Sequence, residues 1–338
     1  MSGPNLSSPA DAYRNQLEEA KAFILAHDHF LVVSHVNPDG DAIGSTLAVG
    51  QMLQLLGKSF VTINEGEVPS KFGMLPRSAE ILNYSRRSSA EPLPPFNCVI
   101  AVDCADYQRI GLVKEWFTTE TPILNIDHHP TNDGFGRVNL IRADAAATAE
   151  VLYDLATLLT ISWAKPLADC IYTGLLTDTG GFRYSNTTPR VLKIASEMLE
   201  YGVDGNDLAD QFLEKLTLSH VMVLQKALAS LNFNVDKRIA WVSVSLQDVA
   251  DAHAQNADLE GLVNYPRNIE GVEVGLLFKQ IDGEKWKVSF RSAGLVDVAD
   301  VAKHFGGGGH IRAAGCAVKG TLDQIEEQVL QEIQRRLP

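Results

Sequence analysis

Short apolar runs alternate with amphipathic segments along the first 200 residues of the chain. Amphipathic helices are predicted at 13–26, before the first apolar run, and near 42–56, where Gly57 closes the helix. Alternating strands and helices are typical of a mostly parallel sheet that is covered on both faces. The strand-like runs rich in β-branched and apolar residues lie at 30–34 (FLVVS), 59–63, 98–103 and 122–127.

Helical patterns continue after this predicted sheet. We expect helices through 147–159 and around 167–176, and a third that begins at Thr188-Pro189 and stops before Gly202. Residues 207–231 have the pattern of one long amphipathic helix with no strand signal, which predicts a connector between two domains.

The pattern changes beyond this helix. Strand-like runs at 238–246, 272–280 and 286–292 follow one another closely, and Asp282-Gly283 predicts a hairpin turn between the last two. This pairing favours a smaller mixed sheet. The remaining segments are a helix at 297–304, four glycines at 306–309, a strand at 313–318 and a last helix from Thr321. We therefore predict a two-domain α/β protein with a first domain at 1–205, a helical connector at 206–225 and a second domain at 226–338.

Composition agrees with two globular domains. The chain has 338 residues, 45% of them apolar, and a domain typically takes about 150 residues. The sequence contains no run of about 18 apolar residues and no basic region followed by an apolar core at the N-terminus, so we expect neither a membrane nor a secreted protein. The four cysteines show no CxxC spacing, which favours buried, reduced thiols in a cytoplasmic protein.

The net charge narrows the range of partners. With 29 Lys and Arg against 42 Asp and Glu, the formal charge is −13, which argues against a protein that coats duplex DNA with a basic face. A small anionic substrate stays compatible with this charge, because acidic residues gathered in a cleft can hold divalent cations that then attract phosphate.

Carboxylates and histidines follow apolar runs at four places in the first domain. If each run is a strand, the groups meet at the carboxyl edge of a parallel sheet, where ligands bind. Taken singly, a motif such as Asp39-Gly40-Asp41 could also be a turn and an N-cap for the helix at 42–56. The residues are His35, Asp39 and Asp41 after FLVVS, Asp103 after CVIAV, Asp127, His128 and His129 after PILNI, and Asp178 after GLLT.

So many carboxylates at one edge would repel each other unless cations separate them. Carboxylate and imidazole ligands without thiolate favour Mn²⁺ or Mg²⁺, with Co²⁺ or Zn²⁺ as alternatives. Two such cations about 3.5–4 Å apart can activate a water and stabilise a phosphoryl transition state. The pattern therefore predicts a site for two divalent cations.

Five motifs together resemble the DHH phosphoesterase family with a C-terminal DHHA1 domain. They occur in the family's order and span roughly residues 20–320. The resemblance is to the stand-alone nanoRNase and 3′-phosphoadenosine 5′-phosphate phosphatase branch, which also includes cyclic di-AMP phosphodiesterases and is related to RecJ-type exonucleases. The motifs are HVNPDGDAIGS (35–45), VDCAD (102–106), Asp127-His128-His129, GLLTDTGGF (174–182) and GGGGHIRAAG (306–315).

The resemblance implies a role for each residue of the constellation. His35 and Asp39 would hold a first metal, Asp41, His128 and Asp178 a second, and Asp103 would bridge them. Asp127 and His129 would be catalytic, with Asp127 orienting an imidazole and His129 placed near the phosphate or the leaving group.

The resemblance also implies a nucleotide site in the second domain. A glycine run alone could be a flexible turn, but the family holds the nucleotide with this segment and an upstream arginine. The implied substrate-binding residues are Arg291, Gly307, Gly308, Gly309 and His310. Arg109, six residues after Asp103, could also reach a phosphate, although it could equally be a surface arginine at a helix start.

We therefore expect a Mn²⁺-dependent phosphoesterase, with Mg²⁺ or Co²⁺ as alternatives, that binds its substrate in a cleft between two domains. It would release 5′-mononucleotides from short single-stranded RNA and would also dephosphorylate 3′-phosphoadenosine 5′-phosphate. One alternative is a phosphodiesterase for cyclic di-AMP or pApA, and another, of a different class, is a non-catalytic nucleotide-binding regulator. The family resemblance also suggests a homodimer.

Overall fold

The computed structural model describes residues 9–86 and 95–337, so the polar start of the chain, residues 1–8, lies outside the described residues. The contacts divide the chain into two compact units, Met1–Lys215 and Leu216–Pro338. Within the described residues, no helix combines the length and the apolar character that crossing a membrane requires.

A six-stranded sheet forms the centre of the first unit, and every neighbouring pair of its strands is parallel. The strands lie in the order β3-β2-β1-β4-β5-β6. The chain passes from β1 to β2 on one side and later returns to β4 on the other, which makes the carboxyl end of β1 a topological switch point. The strands are β1 (Phe30–Val33), β2 (Phe60–Asn64), β3 (Leu82–Asn83), β4 (Cys98–Val102), β5 (Ile123–Asp127) and β6 (Val138–Ile141).

Both faces of this sheet are buried, because alternate residues of each apolar strand point to opposite sides. Phe30 and Val32 belong to one hydrophobic core with residues of the helices. Leu31 and Val33 belong to a second core on the other face, with residues of the 3₁₀ segment Tyr107–Trp116. The helices are α1 (Pro9–Ala26), α2 (Gly40–Leu55), α3 (Thr148–Leu158), α4 (Lys165–Asp178), α5 (Pro189–Glu200) and α6 (Gly205–Ala209).

The second unit contains the predicted mixed sheet, in the order β11-β12-β10-β9-β8-β7. β8 and β9 are parallel, and the other neighbours are antiparallel, including the predicted hairpin of β9 and β10. The elements are α7 (Leu218–Ala229), β7 (Asn232–Phe233), β8 (Ile239–Val244), α8 (Leu246–Asp251), α9 (Asn264–Arg267), β9 (Val274–Asp282), β10 (Lys285–Ser292), α10 (Val298–His304), β11 (Gly308–His310), β12 (Ala313–Lys319) and α11 (Leu322–Gln334). The α/β fold class predicted from the sequence is confirmed in both units.

One prediction about elements is wrong, and one strand was not predicted. The single helix expected at 207–231 is interrupted: a π-helical turn at Asp210–Glu214 follows α6, and extended backbone at Lys215 and Thr217 separates it from α7. Part of the glycine run, Gly308–His310, is a strand that pairs with β12. A side chain at Gly307 would meet the carbonyl oxygen of Gly315 at 2.2 Å, so this close approach of two backbones requires glycine.

Candidate active site

Asp103 is the centre of a cluster of carboxylates and imidazoles at the carboxyl edge of the first sheet. It follows β4, is buried, and has a left-handed backbone with φ of 57°. Its Oδ2 lies 3.3 Å from Nε2 of His35, and its Oδ1 lies 3.6 Å from Nε2 of His128 and from Nδ1 of His129. One carboxylate therefore contacts three imidazoles from two other strand ends.

Backbone carbonyls fix the direction of two of these rings. Nδ1 of His35 lies 2.8 Å from the carbonyl oxygen of Val36, and Nδ1 of His128 lies 3.2 Å from that of Ala145. A carbonyl only accepts hydrogen bonds, so each Nδ1 carries the proton. In the neutral ring, Nε2 then keeps a lone pair toward the carboxylates, which is the tautomer that a metal ligand requires.

Asp41 comes from the first turn of α2 and is fully buried. It accepts hydrogen bonds from the backbone N–H groups of Thr148 at 2.6 Å and Ala149 at 3.0 Å, and from the hydroxyl of Ser45 at 3.2 Å. The N-terminus of α3 thus holds this carboxylate against the cluster. A side chain at Gly174 of α4 would lie 2.3 Å from Asp41, so glycine there is a condition for the close packing of the site.

Asp178 reaches the same cluster from a helix. We expected it to follow a strand like the other groups, but it is the last residue of α4. The GLLT run that precedes it is buried helix, and a short apolar run does not distinguish a strand from a buried helix. Its Oδ2 nevertheless lies 3.4 Å from Nε2 of His128.

Asp39 lies at the exposed rim of the cluster, with Oδ2 4.0 Å from Nε2 of His35. Its Oδ1 accepts from the N–H of Ala42, so it is also the N-cap of α2. Asp39 is therefore the N-cap of α2 through Oδ1 and a candidate metal ligand through Oδ2.

Asp127 and His129 form a pair beside Asp103. Asp127 is fully buried at the end of β5, and its Oδ1 lies 2.8 Å from Nδ1 of His129. The side-chain amide of Asn132 donates to its Oδ2 at 2.6 Å and to the carbonyl oxygen of Cys104. Nδ1 of His129 thus faces a carboxylate, whereas His35 and His128 direct Nδ1 to a carbonyl.

The ligand atoms of three residue groups each lie within 4.8 Å of one another. Asp103 belongs to two groups and His128 to two, so the groups form one continuous site. The groups are His35, Asp39 and Asp103; Asp41, His128 and Asp178; and Asp103, His128 and His129.

The electrostatics of the site fit the binding of divalent cations. Burial, together with the neighbouring carboxylates, raises the pKa of Asp41 and of Asp178 well above the usual value. Burial also opposes ionisation of Asp103, but the three imidazoles outweigh it and lower its pKa to about 2. Simultaneous ionisation of these carboxylates is therefore disfavoured in the protein alone, and oxygen and imidazole donors suit cations such as Mn²⁺.

The remaining predicted residues lie elsewhere. Arg109 is half-buried in the 3₁₀ segment Tyr107–Trp116, its carbonyl accepts from the N–H of Val36, and its positive charge acts to lower the pKa of His129. Arg291 and Gly307, Gly308 and Gly309 line one groove in the second unit. His310 is exposed at the end of β11.

Sequence reasoning missed Asn132 and Thr148. Asn132 is a polar residue in a loop, and nothing in its neighbourhood distinguishes it from a turn residue. Thr148 contacts two members of the cluster, because its N–H donates to Asp41 and its hydroxyl donates to Asp103 at 3.0 Å. The available signal was the start of the helix predicted at 147–159, since a helix N-terminus binds anions.

All four cysteines are buried free thiols, as predicted from their spacing. Burial raises the pKa of each, to about 12 for Cys98 and about 11 for Cys316. They supply no ligand to the cluster.

Comparison with known families bears on both units. The model described as the DHH family, N-terminal domain, matches residues 29–175, and the DHHA1 domain model matches residues 239–337. The chain belongs to the DHH/DHHA1 phosphoesterase family. As a member of this family it is a hydrolase of phosphoric ester bonds.

Individual DHH/DHHA1 relatives align over most of the chain. The Thermus thermophilus protein named bifunctional oligoribonuclease and PAP phosphatase NrnA is 37% identical over 90% of this chain and 89% of its own. The crystal structure of an exopolyphosphatase-related protein from Bacteroides fragilis has a TM-score of 0.85 and 27% identity, and the match covers 96% of this chain and 95% of that one. The structure of RecJ with Mn²⁺ from Thermus thermophilus has a TM-score of 0.57 at 13% identity, covering 99% of this chain and 56% of RecJ, and shows likeness of fold.

Proposed function

We propose that this protein is a Mn²⁺-dependent phosphoesterase that releases 5′-mononucleotides from short single-stranded RNA and also dephosphorylates 3′-phosphoadenosine 5′-phosphate. The observation that carries the proposal is the continuous carboxylate and imidazole site around Asp103. The 37% identical relative, named for both activities, supports the choice of substrates.

The cation ligands are proposed in two sets that share Asp103. His35 and Asp39 form the first set, and Asp41, His128 and Asp178 form the second, in agreement with the grouping of their ligand atoms. Two cations bound there would polarise a phosphoryl oxygen and supply an activated water for attack on phosphorus. RecJ, which shares the fold, has been solved with Mn²⁺ and with Mg²⁺, which supports a divalent cation here, and the choice of Mn²⁺ is decided by the test below.

His129 is proposed as the proton donor to the leaving oxygen. Burial lowers its pKa, but the carboxylates of Asp127 and Asp103 outweigh burial, and the net effect is a raised pKa. Nδ1 is held by Asp127, so Nε2 is the nitrogen that is left to deliver a proton. Asp127 acts through His129 and orients it, and Arg109 adds a positive charge beside this pair.

The second unit is proposed to hold the nucleotide through Arg291, Gly307–Gly309 and His310. Backbone that can approach an anion closely, together with a guanidinium, suits a terminal phosphate. We accordingly propose a catalytic domain over 1–205, a connector over 206–225 and a substrate-binding domain over 226–338. A homodimer and a cytoplasmic location remain predictions.

The test is a product analysis with metal-stripped protein. The protein receives Mn²⁺ or Mg²⁺ together with a 5-mer RNA, pApA, cyclic di-AMP, 3′-phosphoadenosine 5′-phosphate and pyrophosphate in parallel reactions. We expect Mn²⁺-dependent release of 5′-mononucleotides from the RNA. Asp103→Asn should lower kcat by roughly 10³-fold or more, because the cations supply several kcal/mol of transition-state stabilisation.

Asp133→Asn is the matched control, because Asp133 is an exposed carboxylate outside the cluster. Preferred cleavage of pApA or cyclic di-AMP would replace our proposal with the signalling phosphodiesterase. Binding of nucleotides without hydrolysis of any of the five compounds would favour the non-catalytic regulator.

A further inference from the structure

One face of the second sheet carries basic side chains above a floor of small residues. Alternate residues of β10, such as Val288 and Phe290, are buried in the core that also contains α10 and α11. Lys287, Ser289 and Arg291 therefore point to the opposite face, since side chains alternate along a strand.

The neighbouring strand β12 supplies the floor. Its residues Ala313, Gly315 and Ala317 pair in register with Arg291, Ser289 and Lys287, respectively. We call the space above them the β10–β12 groove; it has a volume of about 610 Å³, and its lining includes Ile281 and Gly307–Gly309. Small residues beside long basic ones allow an extended ligand to lie close to the sheet.

Two lysines face each other across β9 and β10: Lys287 lines the groove at the end remote from Arg291, and Lys279 lies beside it, outside the lining. Lys279 pairs in register with Lys287, and both point to the groove side of the sheet. Lys279 is half-buried, and its Nζ donates to the side chain of Asn256 at 2.7 Å. Burial, and then the charge of Lys287, lower the pKa of Lys279.

Neither lysine has a carboxylate partner in the part of the chain that the structure describes. Like charges directly opposite each other on a sheet are destabilising. The chain has 29 basic residues and 42 acidic ones, and an acidic residue near the two lysines could have neutralised the pair. An unpaired double positive charge at the end of a groove is therefore suited to an anionic ligand.

We propose that Lys279 and Lys287 bind a phosphodiester of a single-stranded oligonucleotide two nucleotides beyond the terminal one. This inference rests on the proposed function, in which Arg291 and the glycine strand hold the terminal nucleotide. Residues on one face of a strand recur about every 7 Å, so the groove leads from Arg291 past Ser289 to Lys287 in two steps, each about the phosphate spacing of an extended sugar-phosphate chain. Lysine, as a flexible point charge, binds phosphate without requiring one base sequence.

The lysine pair would thus distinguish oligonucleotides from single nucleotides. In 3′-phosphoadenosine 5′-phosphate both phosphates belong to one nucleoside, so no further nucleotide reaches the lysines. Removing the lysine charge should therefore weaken the binding of RNA more than the binding of this bisphosphate.

The experiment compares Lys287→Gln and the double variant Lys279→Gln/Lys287→Gln with wild type in the full-length protein. The KM for a 5-mer RNA should rise about 5-fold for each lysine removed at 0.1 M salt. The reason is that each lost phosphate contact lowers the slope of log affinity against log salt concentration by about 0.7. In the double variant, the fold-increase in KM for RNA should be at least 5 times the fold-increase in KM for 3′-phosphoadenosine 5′-phosphate. The kcat for RNA should stay nearly constant.

Lys303→Gln is the matched control, because Lys303 lies on α10, which packs on the other face of the sheet. It removes the same charge from the same unit and should leave both substrates unaffected. Equal losses for RNA and the bisphosphate, or losses no larger than those of Lys303→Gln, would overturn the inference.

Direct binding separates this inference from the proposed function. Fluorescence anisotropy with a labelled 5-mer RNA measures affinity without turnover, at several salt concentrations. If wild type binds RNA through the lysines but cleaves nothing, the proposed function has failed and the inference stands. If wild type cleaves RNA while its affinity and its salt dependence are the same in the double variant, the inference has failed and the proposed function stands.

Discussion

Three histidines meet around Asp103, but their hydrogen bonds prepare them for different tasks. His35 and His128 direct Nδ1 to backbone carbonyls, which leaves an Nε2 lone pair for a cation. His129 directs Nδ1 to Asp127, and this carboxylate favours the protonated ring. The acceptor that faces Nδ1 therefore determines whether each imidazole is suited to bind a cation or to carry a proton.

Asn132 provides a test of this arrangement, because it donates to the oxygen of Asp127 that His129 leaves free. Asn132→Ala should lower kcat on RNA about 10- to 100-fold, as is usual for partners that orient a functional imidazole or ligand. The pH profile of kcat should also shift, because loss of the Asn132 hydrogen bond changes the charge on the Asp127 oxygens and therefore the pKa of His129. The measurement is kcat against pH for both proteins.

Asn139→Ala serves as the control, because the side-chain hydrogen bonds of Asn139 are made to the backbone of Gly136 and not to Asp127. If the two alanine variants lose activity equally and keep the wild-type pH profile, Asn132 has only a structural role.

The residues found from the sequence were those whose chemistry is carried by the side chain itself. Carboxylates and histidines after apolar runs stand out, and the structure brings seven of the eight within the three ligand groups. The eighth, Asp127, is in contact with one of them, His129. Asp41 is held by the backbone N–H groups of Thr148 and Ala149, which every residue possesses, so no residue type marks these two contacts.

At the scale of elements, one carboxylate connects two strands and a helix of the second unit. Glu273 precedes β9, and its Oε1 accepts from the hydroxyl of Ser292 at the end of β10. It also accepts from the backbone N–H groups of Gly294, Leu295 and Val296, which lead to α10. This residue fixes the turn through which the chain passes from β10 toward the glycine strand.

The pKa of Glu273 predicts a pH dependence of stability. Burial raises this pKa, but the hydrogen bonds from Ser292 and the turn outweigh burial and lower it below 4.5. The ionised carboxylate therefore stabilises the fold above the unfolded pKa, and this contribution disappears as the pH falls through the lower folded pKa. Glu273→Gln should cost about 1–3 kcal/mol near pH 7, and the difference from wild type should shrink below pH ~4.5.

Urea denaturation at several pH values between neutral and acidic measures this difference. Glu270→Gln is the control, because Glu270 is an exposed glutamate three residues earlier. A difference between Glu273→Gln and wild type that stays constant into the acidic range would show that the charge of Glu273 is not the source of its effect.

Elements with a strong local pattern were predictable, and those that depend on a distant partner were not. Thr188 caps α5 with Pro189 in its first turn, as the sequence indicates. β11 consists of Gly308, Gly309 and His310, and glycine disfavours strands, so only the edge of β12 accounts for it. The short β6 was missed because its place depends on pairing with β5.

At the scale of the whole molecule, the net charge of −13 does not reveal that acidic and basic side chains are distributed unevenly between the two units. The first unit gathers buried carboxylates at one sheet edge, and the second unit presents lysines on an open sheet face. Mean composition excluded a broad basic surface but could reveal neither local site, because each depends on which residues the sheet brings together.

Removal of metal should lower the thermal stability of the protein. Cations that bind the folded carboxylate cluster stabilise the native state by about 2.7 kcal/mol at a concentration of 100 times Kd. Adding Mn²⁺ to metal-stripped protein should therefore raise Tm by roughly 5–10 °C. Asp103→Asn should lose most of this rise, and Asp133→Asn should retain it, as measured by calorimetry. An equal rise in all three proteins would place the stabilising cations outside the cluster.

The backbone of Asp103 has a consequence for how this sequence can change over evolutionary time. A left-handed conformation costs a residue with a side chain roughly 1 kcal/mol, and Asp103 has φ of 57°. Glycine at this position would relieve that cost and would also abolish the central carboxylate. A change to glycine would therefore gain backbone freedom but lose the hydrogen bond from Thr148, the stabilisation by bound cations and turnover together. Loss of activity by this route would also remove the Mn²⁺-dependent rise in Tm, so the two losses together would identify an enzyme that had decayed.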